Sequence, residues 1–524
     1  MSASYLIGLD YGTASARGVL IDVDSGNLCD AHSVSYRHGT MTSALPDGTN
    51  LPGGWALQNA ADYTECAQVI LSKLARGKHV EGIGIGFTAS SPLPTLFDGT
   101  PLSYQYPNEP HAYVKLWKHH SAQPWAESIN EQGGEFLKKF GGKTSAEWLP
   151  AKAAQMASEA PALWEKTARF IEAGDWLVWQ LTGQESRSTD MARFKAHHSA
   201  TQGYPTFDVV ADLSERVVAP TVIGSSGGTV CSRWLDATGI LGSPAVAVAV
   251  IDSHVVLPAL GAVEAGTLVG ALGTSAVWML LDNEERALPP GIEGVAKDAA
   301  LPDLWCYEAG QAGFGDVLAW FAKLSPIAKE VSDNFSAYNA AAEAIGPGQS
   351  GLLALDWWSG CRAPLADPDL SGMLLGLRVT TTPAEIYRAL LESICFGARM
   401  IVAHMKAGNV PITRTILASG LSKNNRFLVQ LMADVLGTVV EVPELEHSTA
   451  VGAAIHGAVA ARTVRNFSEG AARFGAQAFA SYTPNQAITR VYDQLFNEYA
   501  ALSGLSRMRE SMHLLRKLFH ATSE

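Results

Sequence analysis

Cysteine is scarce in this chain of 524 residues, and the spacing of its cysteines excludes two kinds of site. The six cysteines are scattered, and no two of them have the CxxC spacing. Neither a zinc site of that type nor a disulfide framework is therefore indicated. Because disulfide frameworks belong to oxidising compartments, we expect a cytoplasmic protein.

Charge is also sparse, and basic charge is the scarcer kind. Charged residues make up 17% of the chain, with 38 Lys and Arg against 51 Asp and Glu and a net charge of −13. Proteins that bind nucleic acid mainly through its phosphates need clusters of lysine and arginine. We therefore expect no nucleic acid partner.

Segments typical of secretion or membrane insertion are missing too. The N-terminus has no basic region followed by an apolar one, so no secretory signal is predicted. Residues 245–281 are very apolar, but Asp252, His254 and Glu264 interrupt them. Buried sheet strands explain this stretch better than a membrane span, and we expect no membrane partner.

What the chain has in quantity is length and hydrophobic residues. With 524 residues, 47% of them hydrophobic, it is too long for one core. Two large domains are therefore predicted.

Residues 6–21 contain the first motif with a chemical meaning. An apolar run carries one carboxylate, Asp10, breaks at a Gly-Thr-Ala-Ser turn that begins at Gly12, and then resumes. This pattern predicts two strands joined by a tight turn. The turn could hold a phosphate through the Gly12 N–H and the Thr13 and Ser15 hydroxyls, with Asp10 on a hydrated Mg²⁺. A plain hairpin with a polar turn is the alternative.

A second copy of this motif lies at residues 268–281, where an apolar run meets Gly273-Thr274-Ser275 and continues apolar. Gly12 and Gly273 are separated by about half the chain. Two such hairpins, one at the start of each half, indicate a duplication with a nucleotide held between the halves. We place the boundary between the halves near residue 263.

Two further strands end in polar residues. The apolar run 244–251 is followed by Asp252, and a carboxylate at the end of a buried strand is costly without a role or a partner. Asp252 could also be a helix N-cap, and both interpretations can hold. A strand at residues 80–88 ends at Ala89-Ser90-Ser91, a suitable place for a ligand loop.

Three patterns in the second half predict helices. Thr382, Pro383 and Glu385 form a capping box at a helix start. Residues 419–425 place a glycine turn at a helix N-terminus, where N–H groups can meet an anion or a ribose. Residues 450–454 begin a small-residue helix that another element, or an adenine, can approach closely.

Taken together, these motifs resemble the FGGY carbohydrate kinases of the sugar kinase/Hsp70/actin superfamily over nearly the whole chain. The matching segments are residues 9–17 and 272–275 for the two phosphate loops, 418–425 for the adenosine motif and 372–392 for the second family signature. The runs 308–316, 356–364 and 396–399 resemble the ribulokinase branch. Asp252-Ser253-His254 departs from the amide that follows the aspartate in many members, and Ser419-Gly420 stands in place of Gly-Gly.

The resemblance implies an α/β fold with two actin-like (ribonuclease H-like) domains, residues 1–262 and 263–524, and an ATP and sugar cleft between them. It implies ATP-dependent phosphorylation of a ketopentose, L-ribulose to L-ribulose 5-phosphate, with Asp252 as the general base. The alternatives are a D-ribulose or xylulose kinase of the same family, or an actin-like ATPase switch without a sugar substrate. A homodimer is compatible with the resemblance.

The resemblance also assigns site residues, with ATP and Mg²⁺ as cofactors. Sugar contacts are expected from Ala89, Glu147, Lys195, Asp252 and Glu308, and a metal contact from Asp10. Nucleotide contacts are expected from Gly12, Thr13, Ser15, Arg17, Gly273, Thr274, Gln311, Gly420, Asn425 and Gly452. Without the resemblance, a solvated lysine and a structural ion pair would be the simpler interpretations of Lys195 and Glu308.

Overall fold

A computed structural model describes residues 3–287, 291–327, 331–418 and 420–521. The chain forms two compact units of mixed α/β structure. The first comprises the chain up to residue 263 with 296–306 and 445–477, and the second comprises 264–295, 307–444 and the chain from 478 onward. The units therefore differ from the two continuous domains expected from the sequence, because two segments of the second half pack with the first.

The strands, in chain order, are β1 Ser4–Tyr11, β2 Ser15–Asp22, β3 Leu28–Ser35, β4 Leu57–Gln58, β5 His79–Phe87, β6 Pro92–Thr95, β7 Val114–Lys115, β8 Arg169–Glu172, β9 Ser226–Thr229, β10 Ala245–Ala247, β11 Val250–Ile251, β12 Thr267–Leu272, β13 Ala276–Asp282, β14 Gly294–Lys297, β15 Trp305–Gln311, β16 Leu353–Leu355, β17 Met373–Leu375, β18 Arg414–Ala418, β19 Val440–Pro443 and β20 Phe479–Tyr482.

The α-helices are α1 Ala60–Ala75, α2 Gln123–Gln132, α3 Leu149–Glu159, α4 Pro161–Trp164, α5 Ala173–Thr182, α6 Thr189–Ala196, α7 Ser232–Thr238, α8 Asp252–Val255, α9 Gly315–Leu324, α10 Val331–Glu343, α11 Pro383–Ala407, α12 Gly420–Asn424, α13 Arg426–Leu436, α14 Ser448–Ala460, α15 Phe467–Phe474, α16 Gln486–Ser503 and α17 Ser506–Ala521. Short 3₁₀ helices lie at Leu102–Tyr104, Pro110–Ala112, Glu135–Lys139, Asp208–Glu215 and Pro258–Leu260.

The sheet of the first unit has the strand order β3-β2-β1-β5-β10-β9, with β11 also paired to β5. The predicted hairpin is confirmed, since β1 runs antiparallel to β2, with Asp10 opposite Arg17. β5 runs parallel to β1, so both strands end at the same edge of the sheet. The predicted strand 244–251 is interrupted between β10 and β11, where the Val248 N–H donates to the Ser225 carbonyl at 3.0 Å.

Helix α14 packs unusually closely on this sheet. A Cβ atom at Gly8 would lie 1.7 Å from the Ala450 carbonyl oxygen, and one at Gly84 would lie 1.7 Å from that of Ala453. Only glycine therefore fits at these two strand positions. The close approach predicted for the small-residue helix is to the sheet, and it explains why residues 445–477 belong to the first unit.

The sheet of the second unit has the order β14-β15-β13-β12-β18-β19-β20. The hairpin predicted at residues 268–281 is also confirmed, because β12 runs antiparallel to β13. β12 also runs parallel to β18. This repeats the pairing of β1 with β2 and β5, as expected for a duplication. The capping box is confirmed at α11, where Thr382 and Glu385 exchange side-chain to backbone hydrogen bonds. Within the described ranges, no helix is both long and apolar enough to cross a bilayer.

Candidate active site

The turn of the first hairpin is held from several sides. The Gly12 N–H donates to the Ser15 carbonyl at 3.0 Å, so it is not the free phosphate donor expected from the sequence. The Thr13 carbonyl accepts from Gln58 Nε2 at 2.6 Å, and the Thr13 hydroxyl oxygen accepts from Trp117 Nε1 at 3.1 Å. The turn therefore has a defined shape without a ligand.

The turn of the second hairpin is built in a similar way and is exposed at Gly273 and Thr274. The Gly273 N–H donates to the Ser275 carbonyl at 2.8 Å. The Thr274 carbonyl accepts from the N–H groups of Phe314 and Asp316 at 3.2 and 3.3 Å. The N-terminus of α9 thus supports this turn, while the Thr274 side chain faces outward.

Asp10 lies near the end of β1, next to the first turn. Burial raises the pKa of its carboxyl to about 6, and the positive charge of Arg17 on the paired strand partly opposes this rise. The Arg17 guanidinium also donates to the Ser33 hydroxyl at 3.1 Å. Arg17 is therefore held by β3 beside the carboxylate.

Asp252 is the first residue of α8 rather than the cap before it, since Ile251 occupies the N-cap position. Its Oδ1 accepts from the Ser253 N–H at 2.8 Å. The pKa of Asp252 is raised to about 7, first by burial and second by the negative charge of Asp10. The charges of His254 and Lys195 act in the opposite direction. The structure thus brings Asp10, Asp252 and Lys195 within one electrostatic environment.

Lys195 lies in the last turn of α6 and is only 8% exposed. Its ammonium nitrogen is 5.8 Å from the ring centroid of Trp148 and 5.7 Å from that of Phe194. Its charge lowers the pKa of Asp252 and also that of Glu172. Lys195 is therefore not a solvated lysine but a buried cation whose charge acts on both Asp252 and Glu172.

Ala89 and Glu147 are connected to the surroundings of Lys195 through two charged residues that were not predicted from the sequence, Lys152 and Glu172. Ala89 is half-buried in the loop between β5 and β6, and this loop is hydrogen-bonded to the side chains of Lys152 and Glu172. The half-buried Glu147 carboxylate and that of Glu172 both raise the pKa of Lys152, whereas burial lowers it. In the first unit, the predicted residues therefore share one network of alternating charges.

Two sequence signals could have identified the missed pair. Lys152 is the only charged residue in the first eight positions of α3, which are otherwise apolar, small or amide side chains. Glu172 ends the buried strand β8, in the way that Asp252 follows β11. The same argument from the cost of a buried charge applies to both residues.

A third missed residue is Asp190, which lies in the first turn of α6. Its Oδ2 accepts from the Ile251 N–H at 2.8 Å, and its Oδ1 is 2.7 Å from His254 Nδ1. These two contacts lie on either side of Asp252 in the chain. The Ser188 side chain caps α6 by accepting from the Met191 N–H at 3.1 Å.

In the second unit, Glu308 is buried on β15. The nearby Gln311 has its side chain occupied by the protein: its Nε2 donates to Asp356 Oδ2 at 2.7 Å and to the Ile394 carbonyl at 2.8 Å. A Cβ at Gly397 would lie 1.9 Å from Asp356 Oδ2, which explains the glycine there. The amide of Gln311 therefore links β15 to Asp356 and to α11, and its expected nucleotide contact stays a prediction.

The residues matched to the adenosine motif have mixed surroundings. Gly420 is exposed and open, since a Cβ there would meet no atom closer than Asn424 Nδ2 at 4.0 Å. Asn425 caps α13 by accepting from the Leu428 N–H at 3.0 Å and donates to Asn339 Oδ1 at 3.2 Å. Ser419 lies outside the described residues.

Gly452 is placed differently from the nucleotide role expected for it. It lies on α14 in the first unit, and a Cβ there would be 1.9 Å from the Val255 carbonyl oxygen. The space that a side chain at Gly452 would need is thus occupied by the backbone of α8. Gly452 supports the helix that begins with Asp252.

The donor set near Asp252 fits one kind of metal. Among the described residues, no three His, Cys, Asp or Glu side chains are arranged to hold a metal ion. Asp10 and Asp252 offer two carboxylates as oxygen ligands, and their negative charges repel each other. A Mg²⁺ ion, which keeps several waters and binds one or two carboxylates together with substrate phosphates, is compatible with this pair.

The comparisons with known proteins identify the family of the chain. The model of the "FGGY family of carbohydrate kinases, C-terminal domain" matches residues 268–461. The ribulokinase of Bacillus licheniformis is 37% identical over 96% of this chain and 97% of its own length. That of Halalkalibacterium halodurans is 36% identical over 100% and 99%.

The fold is similar to that of solved sugar kinases. The crystal structure of xylulose kinase from Rhodospirillum rubrum matches with a TM-score of 0.83 and 21% identity, over 97% of this chain and 100% of that one. Together with the full-length sequence relatives, this accounts for both units of the molecule. The chain therefore belongs to the FGGY family of carbohydrate kinases and is an ATP-dependent sugar kinase.

Proposed function

We propose that the protein transfers the γ-phosphoryl group of ATP to the terminal hydroxyl of L-ribulose, giving L-ribulose 5-phosphate and ADP. The names of the full-length relatives support a 2-ketopentose as the acceptor. The observation that carries the proposal is the position of Asp252. It is a half-buried carboxylate at the start of α8, and its pKa is raised to about 7.

Asp252 acts as the general base in this proposal. Phosphoryl transfer needs positioning, charge neutralisation and a base more than covalent help from the protein. As the sugar oxygen bonds to the γ-phosphorus, the bond from that phosphorus to the β–γ bridging oxygen breaks, and the sugar hydroxyl proton passes to Asp252. A base with a pKa near neutral pH suits this step, because it is ionised before the reaction and still holds the proton afterwards.

The sugar is bound by the residues assigned from the family resemblance. Ala89, Glu147 and Lys195 contact its hydroxyls, and the resemblance assigns a sugar contact to Glu308 as well. Lys195 has a second task, since its charge favours the ionised form of Asp252. Both tasks require the lysine to stay beside the acid, as its packing on Trp148 and Phe194 arranges.

The resemblance assigns phosphate contacts to Thr13 and Ser15 in the first hairpin turn, and contacts of the same kind to Gly273 and Thr274 in the second. Asp10 would hold Mg²⁺, with Asp252 as the neighbouring carboxylate. When bound, the ion supplies positive charge that neutralises the phosphate oxygens. Arg17 moderates the charge of Asp10 when no metal is present.

A kinetic panel tests this function. Purified protein with ATP and Mg²⁺ is assayed for ADP release with L-ribulose, D-ribulose, L-xylulose, D-xylulose and glycerol, and the phosphorylated carbon is identified by ³¹P and ¹³C NMR. We expect the highest kcat/KM with L-ribulose and a 5-phosphate product. A higher value with another ketopentose would replace L-ribulose as the substrate. ADP release that no sugar stimulates would replace the kinase with an ATPase switch.

A further inference from the structure

The loop between β5 and β6 holds an unfavourable backbone conformation. Ser90 has a φ of +54°, in the left-handed region that favours glycine. A residue with a side chain rarely adopts this conformation, because its Cβ comes too close to the following carbonyl oxygen. Surrounding contacts must therefore stabilise it. Ala89, the residue before it, is half-buried, whereas Ser90 and Ser91 are buried.

Lys152 contacts this loop from one side. Its side chain is fully buried, and its ammonium nitrogen donates to the Ser90 carbonyl at 2.7 Å. The same nitrogen donates to the carbonyls of Leu116 at 2.8 Å and Lys115 at 3.2 Å. A protonated lysine has three donors, and here all three are used on backbone oxygens. Lys152 thus joins the strained loop to the chain that follows β7.

Glu172 contacts the loop from the other side. This carboxylate is 3% exposed, and its Oε2 accepts from the Ser91 N–H at 2.7 Å. Within the described part of the chain, its Oε1 has no hydrogen-bond partner. The next residue in the chain, Ala173, donates its N–H to the Ser91 carbonyl at 3.1 Å. Ser91 is therefore bonded at both of its backbone polar groups.

The two buried charges depend on each other. Burial lowers the pKa of Lys152 and raises that of Glu172, and the charge of each partner opposes these changes. Lys195 provides a second positive charge that acts on Glu172. Burying such a pair is costly unless its hydrogen bonds are satisfied. Of the four hydrogen bonds that the two side chains make, two go to the loop, one from each side. Because burying Lys152 and Glu172 is costly, we take their bonds to the loop as a sign that the position of the loop matters for function.

We propose that Lys152 and Glu172 are positioning residues that hold the Ala89–Ser91 loop as a rigid wall of the sugar site and thereby set which 2-ketopentose is accepted. The inference rests on the proposed function, in which Ala89 contacts the sugar. A wall fixed at Ser90 and Ser91 cannot shift to fit an epimer with a hydroxyl on the other face. A loosened wall accepts more epimers and binds each of them less tightly.

The main variant is Lys152→Met, which removes the three donors and keeps a similar side-chain volume. We expect the KM for the preferred ketopentose to rise at least tenfold, with the KM for ATP unchanged. The ratio of kcat/KM between the best and second-best ketopentose should fall several-fold. Glu172→Gln retains an acceptor for the Ser91 N–H and should show the same changes to a smaller extent.

Lys115→Met is the matched control. Lys115 is also fully buried, but its ammonium nitrogen donates to the His111 carbonyl at 3.4 Å and lies 5.5 Å from the Trp55 ring centroid. The Lys115 carbonyl, which accepts from Lys152, is retained in this variant. We expect its sugar KM and epimer ratio to match those of the wild type. An equal rise in KM for both lysine variants would show general damage to the core and overturn the proposal.

Hydrogen–deuterium exchange separates this inference from the proposed function, because it needs no substrate. Lys152→Met and Glu172→Gln should speed exchange of the peptide containing Ser90 and Ser91, and Lys115→Met should not. Unchanged exchange in both variants would overturn the positioning role, whatever the substrate. Faster exchange with unchanged sugar KM and epimer ratio would overturn the role in specificity. If the wild type phosphorylates no ketopentose, the proposed function fails, while the exchange data still decide whether this pair holds the loop.

Discussion

The carboxylate of Asp190 and the imidazole of His254 form a fully buried pair, with Oδ1 and Nδ1 2.7 Å apart. The other Asp190 oxygen accepts from the Ile251 N–H at 2.8 Å. One side chain of α6 therefore bonds to the backbone just before Asp252 and to the side chain of a residue just after it. The same helix carries Lys195, so α6 places both the backbone and the charge on which the proposed base depends.

Asp190→Asn should lower kcat more than either KM. An asparagine has one acceptor oxygen and one NH2 group. If the oxygen accepts from the Ile251 N–H, the NH2 faces His254 Nδ1, which must then give up its proton to the other ring nitrogen, and the reverse orientation sets the NH2 against the Ile251 N–H. A buried group left without its partner costs about 1–3 kcal/mol. A small displacement of the base can lower turnover by about 10- to 100-fold. Steady-state kinetics with a thermal melt would measure both effects.

Asp175→Asn is the control for this experiment. Asp175 is another buried aspartate, and it accepts from the Ser188 N–H at 3.0 Å just before α6. An asparagine oxygen can replace that single bond, so kcat should stay at the wild-type value. Wild-type kcat in the Asp190 variant would show that its two hydrogen bonds do not position the base.

Asp252→Asn should lower kcat by about 10²- to 10⁴-fold, the usual contribution of a general base. The same variant should be more stable at high pH. The folded-state pKa of about 7 lies above the ordinary 3.8, so this proton binding stabilises the fold fully below pH 3.8 and is lost as the pH rises through about 7. An asparagine avoids the partly desolvated negative charge, so its advantage in Tm should be largest above pH 7 and vanish in acid. A Tm difference that is constant between pH 5 and 8 would contradict this account.

Lys195→Met should change the pH profile as well as the rate. The base must be ionised, so kcat/KM should fall as the pH drops below about 7 in the wild type. Removing the positive charge that lowers the pKa of Asp252 should move this acid limb to higher pH. Lys166→Met is a suitable control, since Lys166 also lies over an aromatic ring, that of Tyr106, at 4.6 Å. If the acid limb of the Lys195 variant stays at the wild-type pH, Lys195 does not influence the pKa of the base.

Much of the fold could be predicted because its signals are local. Each hairpin is formed by a continuous stretch of apolar residues with a polar turn in the middle. The start of α11 is specified by Thr382, Pro383 and Glu385, which lie within one helical turn. These patterns depend on backbone geometry and on neighbours a few residues away. They also appear twice, and the repeat indicated the duplication.

The partners of buried polar groups could not be predicted in the same way. Asp190 and His254 are 64 residues apart, and Lys152 and Ser90 are 62 apart, so no local pattern pairs them. Glycine is equally ambiguous, because it suits a ligand turn and a close helix contact alike. The packing of Gly452 against α8 follows from the arrangement of the unit and not from its neighbours in the chain.

Asp10→Asn should raise the Mg²⁺ concentration needed for half-maximal activity by about tenfold, the equivalent of ~1.4 kcal/mol. It also removes the negative charge that raises the pKa of Asp252, so the acid limb of any residual activity should move to lower pH. This shift is opposite in sign to that of the Lys195 variant. Asp30→Asn, on the exposed strand β3, should change neither quantity. An unchanged Mg²⁺ requirement in the Asp10 variant would assign the metal to other groups.

Alanine substitutions at Gly12 and Gly452 should separate a glycine near phosphate from a packing glycine. A Cβ at Gly12 would meet only the Ser15 carbonyl oxygen, at 3.5 Å, and Gly12 does not have a positive φ. Gly12→Ala should therefore fold with a wild-type Tm and raise only the KM for ATP. A Cβ at Gly452 would lie 1.9 Å from the Val255 carbonyl oxygen, so α14 or α8 must move, and overpacking of this kind typically costs about 1–3 kcal/mol. Gly452→Ala should lower the Tm and kcat together and leave the KM for ATP unchanged in the folded fraction. A rise in the KM for ATP alone would instead show that Gly452 contacts the nucleotide.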